Sequence, residues 1–334
     1  MTTITRTQVA GRLAPQQHLS DSRRRKVIRN LTAYVVGVMT LSVLGGVMVA
    51  SGAEAGALVF LAGPLLMAVL LRTLGGDGWA DAGLRLGPLR WYSFALLIFP
   101  GTFGLILGVG VFTGWVVLSG TIGAFLTTVG LGLAPRLVFA GLEEWGWRGY
   151  LEPRLAEMGV PDLRRHLMVG SIWAVWHVPY IITTSGYSEL SPWLLAPLLL
   201  TGVLVMAVVY GQLRKLSGSV WPVVLAHGLG NVFAYPLVFG DSSFAEFRNP
   251  AVLATRPESL LFIVIWGVIG WVMMTMGGGK VIGDGQVVES RKSRDAVKVR
   301  LGEATGLESP DIADSSRPGR PRHSSRGERE AAWN

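Results

Sequence analysis

Apolar stretches recur along this chain, each of roughly the twenty residues an α-helix needs to cross the hydrocarbon core of a bilayer. They run from about Leu31 to Ser51, Ala55 to Leu71, Trp91 to Thr113, Val116 to Ala140, Leu167 to Thr184, Trp193 to Leu213, Val220 to Gly240 and Ser259 to Met276. A soluble core has no need of such repetition. Of the 334 residues 50% are hydrophobic and only 16% are charged, and the mean hydropathy is +0.44, whereas a soluble domain carries roughly 25% charged residues. The pattern predicts an all-α polytopic membrane bundle of about eight transmembrane helices.

Charge alternates between the runs. Arg72, Arg85 and Arg90 follow the second, Arg148, Arg154, Arg164 and Arg165 the fourth, Arg214 and Lys215 the sixth, and Lys280 the eighth. The opposite connections hold Glu54, then no charge, then Glu189, then Asp241, Glu246 and Arg248. Basic loops stay on the cytoplasmic side, so both termini are expected inside. Pro135 and Arg136 lie near the inner end of the fourth run. They suggest a shorter helix followed by a separate one, or a re-entrant segment, with Arg136 able to snorkel to the inner surface.

The formal net charge of +8 does not point to nucleic acid, because the basic residues sit at the ends and between apolar runs, where they set topology. There is no cysteine, hence no disulfide, thiolate nucleophile or thiolate metal site. Three regions follow. Residues 1–30 form a basic cytoplasmic segment ending in Arg23, Arg24, Arg25, Lys26 and Arg29. Residues 31–278 form the bundle. Residues 279–334 are rich in Arg, Ser, Gly, Glu and Asp with Trp333 as the single aromatic, and are expected to be a disordered cytoplasmic tail. A cleavable signal peptide is not expected, since no short apolar core near the start is followed by a small-residue cleavage site. The glycines at 104, 108 and 110 read as sites of close helix packing or of a helix end. The chain is expected to be a multi-pass protein of the cell membrane, with the lipid bilayer as its surroundings.

Ionisable groups at bilayer depth cost roughly 2.5–3.5 kcal/mol on insertion scales and are functional candidates by default. Three places carry them. In Gly141-Leu142-Glu143-Glu144-Trp145-Gly146-Trp147-Arg148, adjacent residues point about 100° apart, and only Glu144 and Arg148 share a face at i and i+4. Arg148 is then the partner of Glu144, and Glu143 is left to face something else; a charged helix end at headgroup level is the plainer reading. In Trp173-Ala174-Val175-Trp176-His177, His177 lies about 15 Å into the fifth run, with Trp173 one turn away as a pocket wall. A satisfied packing histidine is the alternative. In His227-Gly228-Leu229-Gly230-Asn231, His227 and Asn231 share a face, and the glycines admit another helix or a substrate backbone. His18, His166 and His323 lie in polar segments, which leaves His177 and His227 as the two membrane histidines. The expected topology lets Glu143, His177, His227 and Asn231 converge in the cytoplasmic half.

A carboxylate, two imidazoles and an amide around a semi-dry cavity suit hydrolysis by an activated water. Glu143 would take the proton, His177 would orient the water or shuttle a proton, and His227 and Asn231 would stabilise the oxyanion. The same residues permit a metal site, since two His and one Glu are the ligand set of many catalytic zinc sites. Glu143, His177 and His227 would then hold a divalent ion such as zinc, and Glu144 would act as base, which conflicts with its pairing to Arg148. No His-Glu-x-x-His helix occurs.

The ordered trio Glu143-Glu144-x-x-x-Arg148, Trp173-x-x-x-His177 and His227-x-x-x-Asn231 resembles the CAAX protease and bacteriocin-processing family (CPBP, or Abi) of intramembrane endopeptidases, whose eukaryotic relatives include the type II CAAX prenyl endopeptidase. The likeness covers about residues 116–233. It implies a helical membrane peptidase open to the cytoplasmic leaflet, with Glu143 activating water, Glu144 and Arg148 supporting it, and His177, His227 and Asn231 completing the catalytic set. Trp173 stands where the family often has phenylalanine. Members are commonly described as metalloproteases, with the metal disputed for the prenyl endopeptidase. The implied substrate is a membrane peptide or lipidated protein. A non-enzymatic immunity or scaffold protein of the same fold, and a proton-coupled transporter, are the competing readings; no repeated halves favour the transporter.

Overall fold

The computed structural model describes residues 19–183, 188–238 and 244–277. The expected polar tail and most of the basic N-terminal segment lie outside the described residues. Nine α-helices occur among those described: α1 (Asp21–Ala50), α2 (Ala55–Thr73), α3 (Arg90–Thr113), α4 (Ile122–Gly146), α5 (Glu152–Glu157), α6 (Asp162–Thr183), α7 (Pro192–Ser217), α8 (Trp221–Val238) and α9 (Leu260–Gly277). Two three-residue strands, β1 (Val116–Leu118) and β2 (Ala245–Phe247), pair antiparallel. Among the described residues this ribbon is the one departure from an all-helical fold.

Local chemistry sets the helix ends. Ser20 Oγ accepts the Arg23 N–H at the start of α1, and Thr121 Oγ1 accepts the Ala124 N–H at the start of α4, each satisfying a donor that has no partner within its helix. The chain leaves α7 through Gly218 at φ 65°, a left-handed conformation that glycine adopts without a Cβ penalty.

Five helical segments are long and apolar enough to cross a membrane: α1, α2, α3, the continuous run from α4 through α5, and α7. The chain is an integral membrane protein. Eight crossings were expected, and the difference lies in α6, α8 and α9. The apolar α9 is shorter, α8 has 18 residues, and α6 opens with Asp162, Arg164, Arg165 and His166. The fourth run is also corrected. It begins as β1, and α4 then continues unbroken through Pro135 to Gly146 and into a single π-helical turn, Trp147–Leu151, that leads to α5. Arg136 is therefore mid-helix, about 15 Å from the end of α4. Its Nε donates to the Asn231 carbonyl at 3.1 Å and its guanidinium lies 4.2 Å from the centre of the Tyr235 ring.

Helix α1 packs on α2 and α6, α2 on α4, α4 and α3 on α8, α6 on α7, and α7 on α9. Glycines set the closest approaches. A Cβ on Gly45 of α1 would stand 2.7 Å from the Gly56 carbonyl oxygen of α2, and one on Gly146 of α4 would stand 2.7 Å from the Pro64 carbonyl carbon of α2. Gly110 packs against Val116 and Leu253, but a Cβ at Gly104 or Gly108 would meet nothing within 4 Å; the packing role expected for those two is not present.

The basic residues taken as topology markers also build the fold. Arg72 is buried, with its guanidinium on the Gly149 and Gly78 carbonyls and on Asp81. Arg154, also buried, pairs with Asp81 and Glu157. Buried Asp77 accepts hydrogen bonds from Tyr150 and Asn30. Carbonyls and carboxylates thus neutralise and hydrogen-bond cations that would otherwise be costly to bury.

Candidate active site

The end of α4 and the π-helical turn place three ionic side chains at the heart of the bundle. Glu144 and Arg148 are each fully buried, and Arg148 Nη1 donates to Glu144 Oε1 at 3.0 Å, as the i, i+4 spacing predicts. The same Oε1 accepts a hydrogen bond from His227 Nδ1 of α8 at 2.8 Å. The guanidinium of Arg148 lies 4.9 Å from the centre of the Trp173 ring and 5.2 Å from that of Tyr210, contacts that favour a desolvated cation.

Glu143 is set apart from this pair. It is 4% exposed, and its Oε2 accepts a hydrogen bond from Trp173 Nε1 of α6 at 2.9 Å. No arginine or lysine pairs with it among the described residues. His177, one turn beyond Trp173 and half-buried, donates from Nδ1 to the Trp173 carbonyl at 2.8 Å. A carbonyl only accepts, so Nδ1 carries the proton and Nε2 of the neutral ring offers a lone pair. His227 is held between rings, edge-on to Trp173 at 5.5 Å and stacked on Tyr210 at 5.7 Å.

Glu143, Glu144, Arg148, Trp173, His177 and His227 are thus joined by direct contacts from α4, the π-helical turn, α6 and α8. Asn231 is not part of that hydrogen-bonded set. It is exposed one turn beyond His227, and its carbonyl is the acceptor for Arg136. The glycines beside it serve helix packing, since a Cβ on Gly228 would meet Leu137 of α4 and one on Gly230 would meet Phe99 of α3. An apolar groove of about 540 Å³, lined by Leu137, Gly141, Trp145, Trp221 and Val224 among others, lies on the face of α4 opposite Glu143, by the 100° step of the helix.

The ligand set of Glu143, His177 and His227 is not assembled as a metal site. Among the described residues no group of three or more His, Asp or Glu side chains is arranged to hold an ion. His227 Nδ1 is bonded to Glu144 and His177 Nδ1 to a carbonyl, which leaves Nε2 as each ring's remaining nitrogen.

Residues 124–233 match the family model described as "Type II CAAX prenyl endopeptidase Rce1-like". The chain carries a CAAX-protease-family domain. No curated protein matches the chain. The CAAX-protease segment contains all seven residues singled out in the sequence, from Glu143 to Asn231.

Two features of this domain escaped the sequence reading. Tyr210 of α7 is fully buried against both His227 and Arg148, but a lone tyrosine in an apolar run carries no signal. His166, set aside as a residue of a polar segment, is fully buried: its Nδ1 lies 2.7 Å from Glu152 Oε1 and its Nε2 lies 3.1 Å from Gln212 Nε2. Here signals existed. His166, Trp173 and His177 repeat at i, i+7 and i+11 along one helix face, and Gln212 is a polar residue inside an apolar run.

At the polar start of α6, ahead of the expected crossing, burial disfavours the charged form of Asp162. Hydrogen bonds from Lys215 and Arg165 outweigh that effect and hold its carboxyl below the usual aspartate value. This ion pair ties α6 to the end of α7.

Proposed function

We propose that the protein is an intramembrane endopeptidase that hydrolyses a peptide bond of a membrane-associated substrate with a water activated by Glu143. The observation that carries this reading is the division between neighbouring carboxylates: Glu144 is bonded to Arg148 and His227, whereas Glu143 is held by one neutral donor, the Trp173 indole N–H. A carboxylate already bonded to a guanidinium is a weak base, and one held by a neutral donor can still take a proton.

In this reading a water lies between Glu143 and the scissile carbonyl. Glu143 takes one of its protons as the oxygen attacks the carbonyl carbon, and the negative charge passes to the carbonyl oxygen. The unprotonated Nε2 of His177 accepts the second hydrogen of the water and sets its direction. Donors on α8 face the oxyanion: His227, as an imidazolium whose Nδ1–H is held by Glu144, donates through its Nε2–H, and Asn231 acts from the open side through its amide. Each such donor is worth roughly 2.7–4 kcal/mol in a comparable case. As the C–N bond breaks, the proton held by Glu143 passes to the leaving nitrogen, which returns the carboxylate. Nearby rings exclude bulk water and strengthen these interactions. The bundle is read as eight crossings with both termini and the site on the cytoplasmic side, in keeping with the alternation of loop charge.

The test uses purified protein in lipid nanodiscs, in excess over a labelled membrane peptide that it cleaves, in H₂¹⁸O. Direct attack by water places one heavy oxygen in the new carboxylate in the first turnover. A first-turnover product free of ¹⁸O would assign the attacking oxygen to a protein side chain and contradict the reading.

A further inference from the structure

Trp173 is hydrogen-bonded to both proposed partners of the water. Its side chain donates to Glu143 Oε2 at 2.9 Å, and its carbonyl accepts from His177 Nδ1 at 2.8 Å. The ring is 2% exposed and also touches the Arg148 guanidinium and the His227 ring. We propose that Trp173 is a positioning residue that, through its indole N–H, fixes the rotation of the Glu143 carboxylate so that one oxygen is tied and the other is presented to the water. This rests on the reading of Glu143 as the base.

The chemistry is directional. An indole N–H only donates, so it can bind a carboxylate oxygen but cannot take a proton from the reacting water or compete with Glu143 as base. The terminal torsion of a glutamate is a broad, roughly two-fold rotor, and one bond from a rigid neighbouring helix removes that freedom. Because His177 is bonded to the backbone of the same residue, the carboxylate and the imidazole take their relative placement from a single point on α6. Phenylalanine at 173 would keep the ring packing on Arg148 and His227 and lose only the donor. The bond is therefore separable from a wall or packing role.

Two measurements test this. Protein labelled with ¹⁵N on its tryptophan indoles, in lipid nanodiscs, gives one N–H resonance for each of its 12 tryptophans. The resonance lost in W173F belongs to Trp173, and W173Y assigns it independently. In E143A that resonance moves upfield while the others hold. Second, on a membrane peptide cleaved by the wild type, W173F lowers kcat about 10- to 100-fold with KM unchanged, the loss that follows from removing a hydrogen bond to a charged group. A resonance that E143A leaves in place, or a W173F protein with full kcat, overturns the proposal. A moved resonance in a protein that cleaves nothing refutes instead the peptidase reading. An unmoved one in a protein whose cleavage depends on Glu143 refutes the role of Trp173 alone.

Discussion

Replacing Glu144 by glutamine separates the roles of the two neighbouring carboxylates. Glu144 is fully buried and bonded to Arg148 at 3.0 Å and to His227 at 2.8 Å. Arg148 is also fully buried; its Nη1 bonds Glu144, and its Nε and Nη2 have no hydrogen-bond partner among the described residues. Glu144→Gln keeps the shape and removes the charge, so a guanidinium is left uncompensated in a dry interior, at a cost of about 3–5 kcal/mol. The Trp173 and Tyr210 rings already face that cation in the wild type and add nothing new to offset the loss. Glu143→Gln differs because the amide oxygen still accepts the Trp173 N–H and no cation is stranded, so its cost stays below about 1 kcal/mol. Thermal unfolding of the wild type and both variants in nanodiscs, at one scan rate, reads the contrast. At about 2–4 °C per kcal/mol for a domain of this size, Glu144→Gln lowers the transition by on the order of 10 °C and Glu143→Gln by no more than a few degrees. Equal shifts for the two, or an unshifted Glu144→Gln, would refute the division between them.

Helix packing and the α6–α7 tie give further predictions. Gly202→Ala places a Cβ 2.6 Å from the Pro257 carbonyl carbon, a backbone atom that cannot yield cheaply; the variant loses about 1–3 kcal/mol despite alanine's better helix propensity. Gly104→Ala meets nothing within 4 Å and gains up to about 1 kcal/mol; paired melting curves with opposite signs check both. Asp162, whose carboxyl is held below its ordinary value of 3.8 by Lys215 and Arg165, contributes stability that is present above the unfolded value and lost as pH falls through the lower folded value. The stability gap between wild type and Asp162→Asn is therefore full near neutrality and closes below about pH 4, as acid unfolding curves will report.

Much of this was legible because bilayer chemistry leaves few choices. Runs of apolar residues specify helices, and the i, i+4 spacings of Glu144 with Arg148 and Trp173 with His177 put those pairs on shared faces before any coordinates are seen. Where the reading failed, tertiary contacts had decided. Pro135 signals a break, yet α4 runs through it, tied to α8 by the bond from Arg136 to the Asn231 carbonyl. His166 reads as a surface residue amid Asp162, Arg164 and Arg165, yet Gly211 of α7, whose absent Cβ would stand 2.7 Å from the imidazole Cγ, makes room for its ring. Nor does a one-dimensional pattern show that Trp173, read as a wall, would present its N–H to a carboxylate 30 residues away on another helix.

The first-turnover rate of Glu143→Gln on a membrane peptide cleaved by the wild type, measured on protein whose melting transition is unchanged, tests the central claim most directly. Loss of a general base predicts a fall of about 10²–10⁴-fold. Cleavage by the folded variant within a few-fold of the wild type would contradict the account.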